Sequence, residues 1–158
     1  MNKITSFTID HTKLNEGIYI SRIDKMADTV VTTFDIRMKR PNMNEYLSTT
    51  SAHTIEHIIA TFLRNDEKYK DKTVYFGPMG CRTGFYVLFF GELTSEDILP
   101  LITKAFKFVA DFSGDIPGQS EIECGNYRDL DLKEAKEDAK KFVDILEHIT
   151  KDRLVYPE

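Results

Sequence analysis

Residues 53–57 read His-Thr-Ile-Glu-His, placing two imidazoles and a carboxylate within one short run. In a helix each residue turns about 100°, so His53 and His57 lie roughly 40° apart around the axis and one turn apart along it. Both rings can then reach one metal ion. Glu56 falls between them, close enough to act on a group that the metal holds. The order is H-x-x-E-H, the inverse of the common zinc-peptidase motif. A catalytic metal needs a third protein ligand and one open position. The downstream run Glu121-Ile122-Glu123-Cys124-Gly125 offers Glu121, Glu123 and Cys124. A thiolate binds zinc or ferrous iron well and gives up its proton in doing so. Gly125 beside it would let the backbone come close to the metal.

A second reactive segment is Gly77-Pro78-Met79-Gly80-Cys81-Arg82-Thr83-Gly84. A cysteine in a glycine-rich turn ahead of a strand is held rigidly and can be partly exposed. Arg82 and a nearby metal dication would favour its thiolate. The bland alternative is a buried thiol in a structural turn. Cys81 and Cys124 are the chain's two cysteines. In a reducing cytosol they are not expected to form a disulfide.

These residues need elements to carry them. The histidine pair sits in an expected helix from about Thr49 to Arg64, with Ser48, Thr49 or Thr50 as N-cap and Ile55, Ile58, Ile59, Phe62 and Leu63 as its apolar face. Ile18–Ile23 and Thr29–Met38 are rich in β-branched residues and read as strands, the second ended by Pro41 and Asn42. Thr83–Leu93 reads as a further strand, apolar enough for burial on both faces. Glycines 77, 80 and 84 mark a tight turn before it. A helix follows with Asp97 as N-cap and Pro100 in its first turn, striped by Ile98, Leu101, Ile102, Ala105, Val109 and Phe112. Gly114–Ser120 is a loop. A last amphipathic helix runs from about Asp131 to Ile149. Together these predict an α+β fold: a mostly antiparallel β-sheet packed against α-helices on one side, residues 1–158 forming a single domain.

Bulk properties narrow the function class. The chain has 158 residues, 41% hydrophobic and 30% charged, with a net charge of -5 and a pI of about 5.4. That balance suits a globular domain and argues against nucleic-acid binding, which calls for a basic face. The N-terminal MNKITSFTIDHTK lacks the apolar stretch of a secretion signal, and GFYVLFFG is too short to cross a membrane as a helix. A cytoplasmic location with no membrane partner is expected.

Six stretches resemble one family: SFTIDHTK from Ser6, FDIR at Phe34–Arg37, Pro41-Asn42, HTIEH, PMGCRTGFY and ECGN. In that order and spacing, from about residue 6 to residue 140, they are similar to S-ribosylhomocysteine lyases of the LuxS family. The resemblance implies a thioether cleavage that yields homocysteine and 4,5-dihydroxy-2,3-pentanedione, the autoinducer-2 precursor used in quorum sensing. It does so by metal-assisted carbonyl migration and β-elimination. It also implies that His53, His57 and Cys124 bind Fe2+, replaceable by Zn2+ or Co2+, and that Glu56 and Cys81 are the general acid/base pair. Ser6, His11 and Arg37 would contact the ribose, with Met79, Gly80 and Arg82 also lining the substrate. The family is a homodimer with sites at the interface, so Ser6 and His11 would serve the partner's site.

The match departs in places. Tyr75, Phe76 and Gly77 stand where many members have Asp-Ile-Ser, and Leu130 stands where many have His. The alternative is a small H-x-x-E-H metallopeptidase, which would take a Glu as third ligand and leave Cys81 without a task. A purely structural metal protein would instead close its site with a fourth ligand.

Overall fold

The computed structural model describes all 158 residues. A short 3-10 turn, Thr5–Phe7, precedes strands β1 (Gly17–Met26) and β2 (Thr29–Arg37). Helix α1 (Thr49–Asn65), strands β3 (Thr73–Pro78) and β4 (Gly84–Phe90), and helices α2 (Ser95–Asp111) and α3 (Leu132–Glu147) follow. The strands form one sheet in the order β1-β2-β4-β3, and every neighbouring pair is antiparallel. The α+β expectation is met.

One face of the sheet carries Ile18, Phe34, Ile36, Phe76, Phe85, Val87 and Phe89 into a core shared with all three helices. α1 presents Ile55, Ile58, Ile59 and Leu63 to that core, all fully buried. Phe62 instead packs beside Phe108 of α2, their ring centroids 5.2 Å apart. Ser48 caps α1: its Oγ accepts from the Ser51 N–H at 3.0 Å and donates to Glu134 of α3 at 2.6 Å. The cap therefore fixes where the helix starts and which neighbour it leans on.

Four readings of the sequence need correction. β4 is shorter than Thr83–Leu93 and is not buried on both faces: Phe85, Val87 and Phe89 are enclosed, while Phe90 is 45% exposed. An antiparallel sheet needs cover on one face only. β3 was not expected as a strand. Its apolar run, Thr73–Phe76, is short and gives way to Gly77-Pro78, which suits the end of an edge strand. Gly77 thus lies in β3, not in the following turn. α2 starts two residues earlier than Asp97 because Thr94 is the cap. Thr94 Oγ1 accepts from the Asp97 N–H at 3.1 Å and the Asp97 carboxylate accepts from the Thr94 N–H at 2.8 Å. Pro100 consequently sits inside the helix and denies a hydrogen bond to the carbonyl four residues back.

Candidate active site

α1 holds the histidine pair as its spacing demands. The rings of His53 and His57 stand edge to face with centroids 4.5 Å apart. Each Nδ1 faces a backbone carbonyl, His53 that of Asp129 at 2.9 Å and His57 that of Pro117 at 2.7 Å. A carbonyl only accepts, so Nδ1 carries the proton in both rings. Each Nε2 is left with a free lone pair, the orientation a metal ligand requires. The chain between α2 and α3 supplies both carbonyls and also Cys124, whose Sγ lies 3.5 Å from His53 Nε2. One ligand atom from each of His53, His57 and Cys124 lies within 4.8 Å of the others.

Local chemistry explains how that connection keeps its course. The Asp131 N–H donates to Thr54 Oγ1 of α1 at 2.8 Å, pinning its far end beside the histidines. Cys124 N–H donates to Ser120 O at 3.0 Å, and the Asn126 N–H reaches Cys124 Sγ at 3.4 Å. Gly118 has a φ of +76°, and a Cβ there would come within 3.0 Å of His57 Nδ1. A side chain at 118 would thus press on the ring that Pro117 orients.

The donor set would fit a metal of the first transition row: two imidazoles and one cysteine sulfur, three protein ligands as an open catalytic site requires. Cys124 is the residue placed to offer the third ligand. Glu121 and Glu123 are exposed, and Glu123 instead accepts from the Ser120 hydroxyl. Gly125, expected to let the backbone crowd the metal, has nothing within 4 Å of a notional Cβ.

Glu56 and His53 line a cavity of about 470 Å³ with Thr49, Met79, Gly80 and Arg82. Cys81 does not open into it. It is exposed and lines a second cavity of about 290 Å³, where Ser6, His11, Arg37 and Met79 also converge. Met79 and Gly80 border both. The expected site residues therefore assemble as two clusters on either side of one turn. A larger cavity, about 680 Å³, lies beside Phe62, Phe108 and Phe112, and it touches the metal cluster only through Pro117. It gathers no histidine or cysteine.

The cation that reaches Cys81 is Arg37, not Arg82. Arg37 Nη1 lies 3.9 Å from Sγ and donates to Thr83 Oγ1 at 2.6 Å. Arg82, in the left-handed region at φ 59°, turns its guanidinium toward Leu47 O at 3.4 Å and over the Tyr46 ring. Arg37 is itself buried against Asp35, with Nη2 to Oδ2 at 2.5 Å, and Tyr156 Oη donates to the same oxygen at 2.8 Å. Burial pushes the Asp35 carboxyl above its ordinary value, against the pull of Arg37 and Tyr156. Burial is the largest influence on Arg37 and would lower it; the charge and hydrogen bond of Asp35, with smaller help from Cys81 and Tyr156, together outweigh it and raise the guanidinium above its ordinary value.

The departures from the family pattern now have surroundings. Tyr75 is 50% exposed, and its ring lies across Gly77, where any Cβ would fall 1.9 Å from the phenol oxygen. Tyr75 and Gly77 thus act as a pair on the outer face. Phe76 points the other way and stacks on Phe85 at 4.9 Å. Leu130 packs against the core.

Comparison with known proteins decides the family. The family model described as S-Ribosylhomocysteinase (LuxS) matches residues 4–152. The chain belongs to the S-ribosylhomocysteinase (LuxS) family. The chain is 59% identical over 158 residues to an S-ribosylhomocysteine lyase of Clostridium beijerinckii, covering 99% of each chain. It is 54% identical to proteins of the same name from Clostridium acetobutylicum, covering 100% of both chains, and Desulfotalea psychrophila, covering 99% of both. The peptidase alternative gains nothing from the family match, and Cys124 stands where that alternative needs a Glu.

The sequence did not point to Asp35, Thr83, Pro117, Gly118, Asp129 or Tyr156 as parts of these clusters. Pro117 and Asp129 act through backbone carbonyls, which any residue type could supply. The Pro-Gly pair at 117–118 is the one local signal that could have flagged a sharp, purposeful turn.

Proposed function

We propose that this chain is an S-ribosylhomocysteine lyase, a carbon–sulfur lyase that releases homocysteine and leaves 4,5-dihydroxy-2,3-pentanedione, with residues 1–158 acting as one domain. The observation that carries this reading is the convergence of His53, His57 and Cys124 in a chain matched to the family over residues 4–152. Ferrous iron is the native metal in this reading, with zinc or cobalt as substitutes. The thiolate and imidazole donors suit all three. When bound, the metal supplies a Lewis acid for the sugar oxygens.

The chain's own residues then move protons. Cys81, as thiolate, and Glu56 take a proton from carbon 2 of the opened ribose and return one to carbon 1, which shifts the carbonyl inward. The same exchange between carbons 3 and 2 brings the carbonyl to carbon 3. Removal of the carbon 4 proton then forms the carbon 4–carbon 5 double bond. The carbon 5–sulfur bond breaks, and homocysteine leaves as a thiolate that picks up a proton. The enol left behind takes a proton at carbon 5 and loses its carbon 4 hydroxyl proton, which gives the second ketone of the dione. Each proton carrier contributes on the order of 100- to 10,000-fold. Ser6, His11 and Arg37, with Met79, Gly80 and Arg82, hold the substrate in place.

The working unit is a homodimer, in which the Ser6–His11–Arg37–Cys81 cavity of one copy faces the metal cavity of the other. Two observations support this: the two clusters open into different cavities, and the outer sheet face leaves Tyr75 and Phe90 exposed, as is Phe7 of the N-terminal turn. The cytosol is the expected compartment, because a free Cys81 and a metal-ligating Cys124 both need reducing conditions. No helix is long and apolar enough to cross a membrane.

Release of free thiol from S-ribosylhomocysteine by the metal-loaded protein tests the activity; no thiol release, or cleavage of peptides instead, would sink it. Co-expression of two inactive variants, Cys81→Ala and His57→Ala, tests the shared site. Mixed dimers regain activity if the clusters meet across the interface and stay inactive if they do not.

A further inference from the structure

The reaction gives no task to Asp35, yet this carboxylate is 1% exposed and sits at the middle of the outer sheet face. The strand register places it between Tyr19 of β1 and Tyr86 of β4. Its Oδ2 accepts from Arg37 and from Tyr156, while its Oδ1 and the Arg37 Nε have no partner. The Tyr156 ring stacks on Tyr19 at 4.9 Å, and the chain end is tied down by a Lys13 to Glu158 O hydrogen bond at 2.7 Å. The C-terminal segment thus forms a cap over the ion pair. From Asp35 the contacts run outward through Arg37 to Thr83 Oγ1 and Cys81 Sγ, which are 3.1 Å from each other.

Charge arithmetic gives this chain of contacts a purpose. A bare guanidinium beside a thiol stabilises the thiolate. That leaves the thiolate plentiful but a weak base, slow to take up a proton, whereas a group that takes and returns a proton works best with a proton affinity near the operating pH. We propose that Asp35, capped by Tyr156, is a positioning residue for the lyase: it aims Arg37 at Cys81 and offsets its charge, so that the thiol can both take a proton and give it back. The proposal rests on the reading of Cys81 as a proton carrier. The other charged or titratable groups facing this cavity are His11 from the N-terminal segment, Tyr46 from the segment before α1, Tyr86 from β4 and Tyr156 from the chain end. Arg82 is directed away. Asp35 is the one carboxylate among them.

The test is the pH dependence of Cys81 alkylation by iodoacetamide in the metal-loaded protein, followed on the peptide that carries Cys81 so that Cys124 does not interfere. In Asp35→Asn, Thr83 still accepts from Arg37, the guanidinium charge is no longer offset, and the midpoint falls by about one pH unit. Tyr156→Phe keeps the stacked ring and removes one donor from Asp35, which makes that carboxylate easier to protonate. Its midpoint moves the same way by less. In both, kcat falls by more than KM rises. A midpoint that stays fixed or rises overturns the proposal, since simple loosening of the cluster would let Arg37 swing away and favour the thiol. If Asp35→Asn does not fold, Tyr156→Phe decides alone. Cys81→Ala separates the two readings: near-normal thiol release from that variant removes the proton-carrier role whatever the alkylation shows.

Discussion

The two cavities flanking Met79 and Gly80 are built on opposite principles. On the α1 side, imidazoles are aimed by backbone carbonyls at 2.7 and 2.9 Å, and no charged side chain hydrogen-bonds either Nδ1. On the Nδ1 side the Asp129 carboxylate stands off at 3.7 Å from His53. On the sheet side, a guanidinium and a carboxylate at 2% and 1% exposure hold one another away from water. The first arrangement tolerates change around it, because a carbonyl survives most substitutions. The second does not, because losing either partner strands a buried charge.

The strongest way to break the comparison is to remove a ligand. His57→Ala or Cys124→Ala should lose bound metal by elemental analysis and cut thiol release by about a thousandfold or more, the scale of several kcal/mol of charge stabilisation. A metal-free His57→Ala variant with normal turnover would refute the division. Next come Cys81→Ala and Glu56→Gln, which should keep full metal content and lose about 100- to 10,000-fold in kcat. Loss of metal in either would mean that the two cavities are not separable.

The third prediction concerns stability. Arg37→Ala leaves buried Asp35 without its ion-pair partner, so the carboxyl must stay charged unpaired or take up a proton, and denaturant unfolding should show a loss of about 3–5 kcal/mol. Asp129→Ala keeps the carbonyl that orients His53, so its metal affinity should change by less than the roughly tenfold that loss of an orienting partner brings. Equal damage from both variants would erase the contrast. The smallest effect is expected far from either cavity. Thr94→Ala removes the α2 cap and should lower stability by about 1 kcal/mol with metal content and turnover unchanged.

The same contrast explains what the sequence disclosed. The histidine pair was legible because helical geometry is local: spacing alone put His53 and His57 on one side of α1. Cys124 was one of three candidates until the resemblance singled it out, since a ligand 67 positions beyond His57 (124 minus 57) depends on a loop path that no period encodes. The sheet cluster was least legible. Arg82 was expected beside Cys81 because it is adjacent in sequence, yet strand pairing brings Arg37 there, opposite Gly84 in the register. Similarly, β3 escaped notice because a short apolar run ending in Gly-Pro carries little pattern, and α2 was cut short because Asp97 resembles a cap more than it resembles the third residue of a capping box. Local rules found what local forces position; the rest waited for long-range pairing.

The path of the chain between α2 and α3 carries a consequence for how the protein is made. That stretch delivers the carbonyl that orients His57, the carbonyl that orients His53 and the sulfur of Cys124. A ribosome builds the chain from its N-terminus, so both imidazoles are in place well before the sulfur emerges. A metal ion can be captured tightly only late in synthesis, after the sheet and α2 have formed. Cells starved of that metal would then accumulate molecules complete in their sheet but open between residues 112 and 131, and a protease would cut there first.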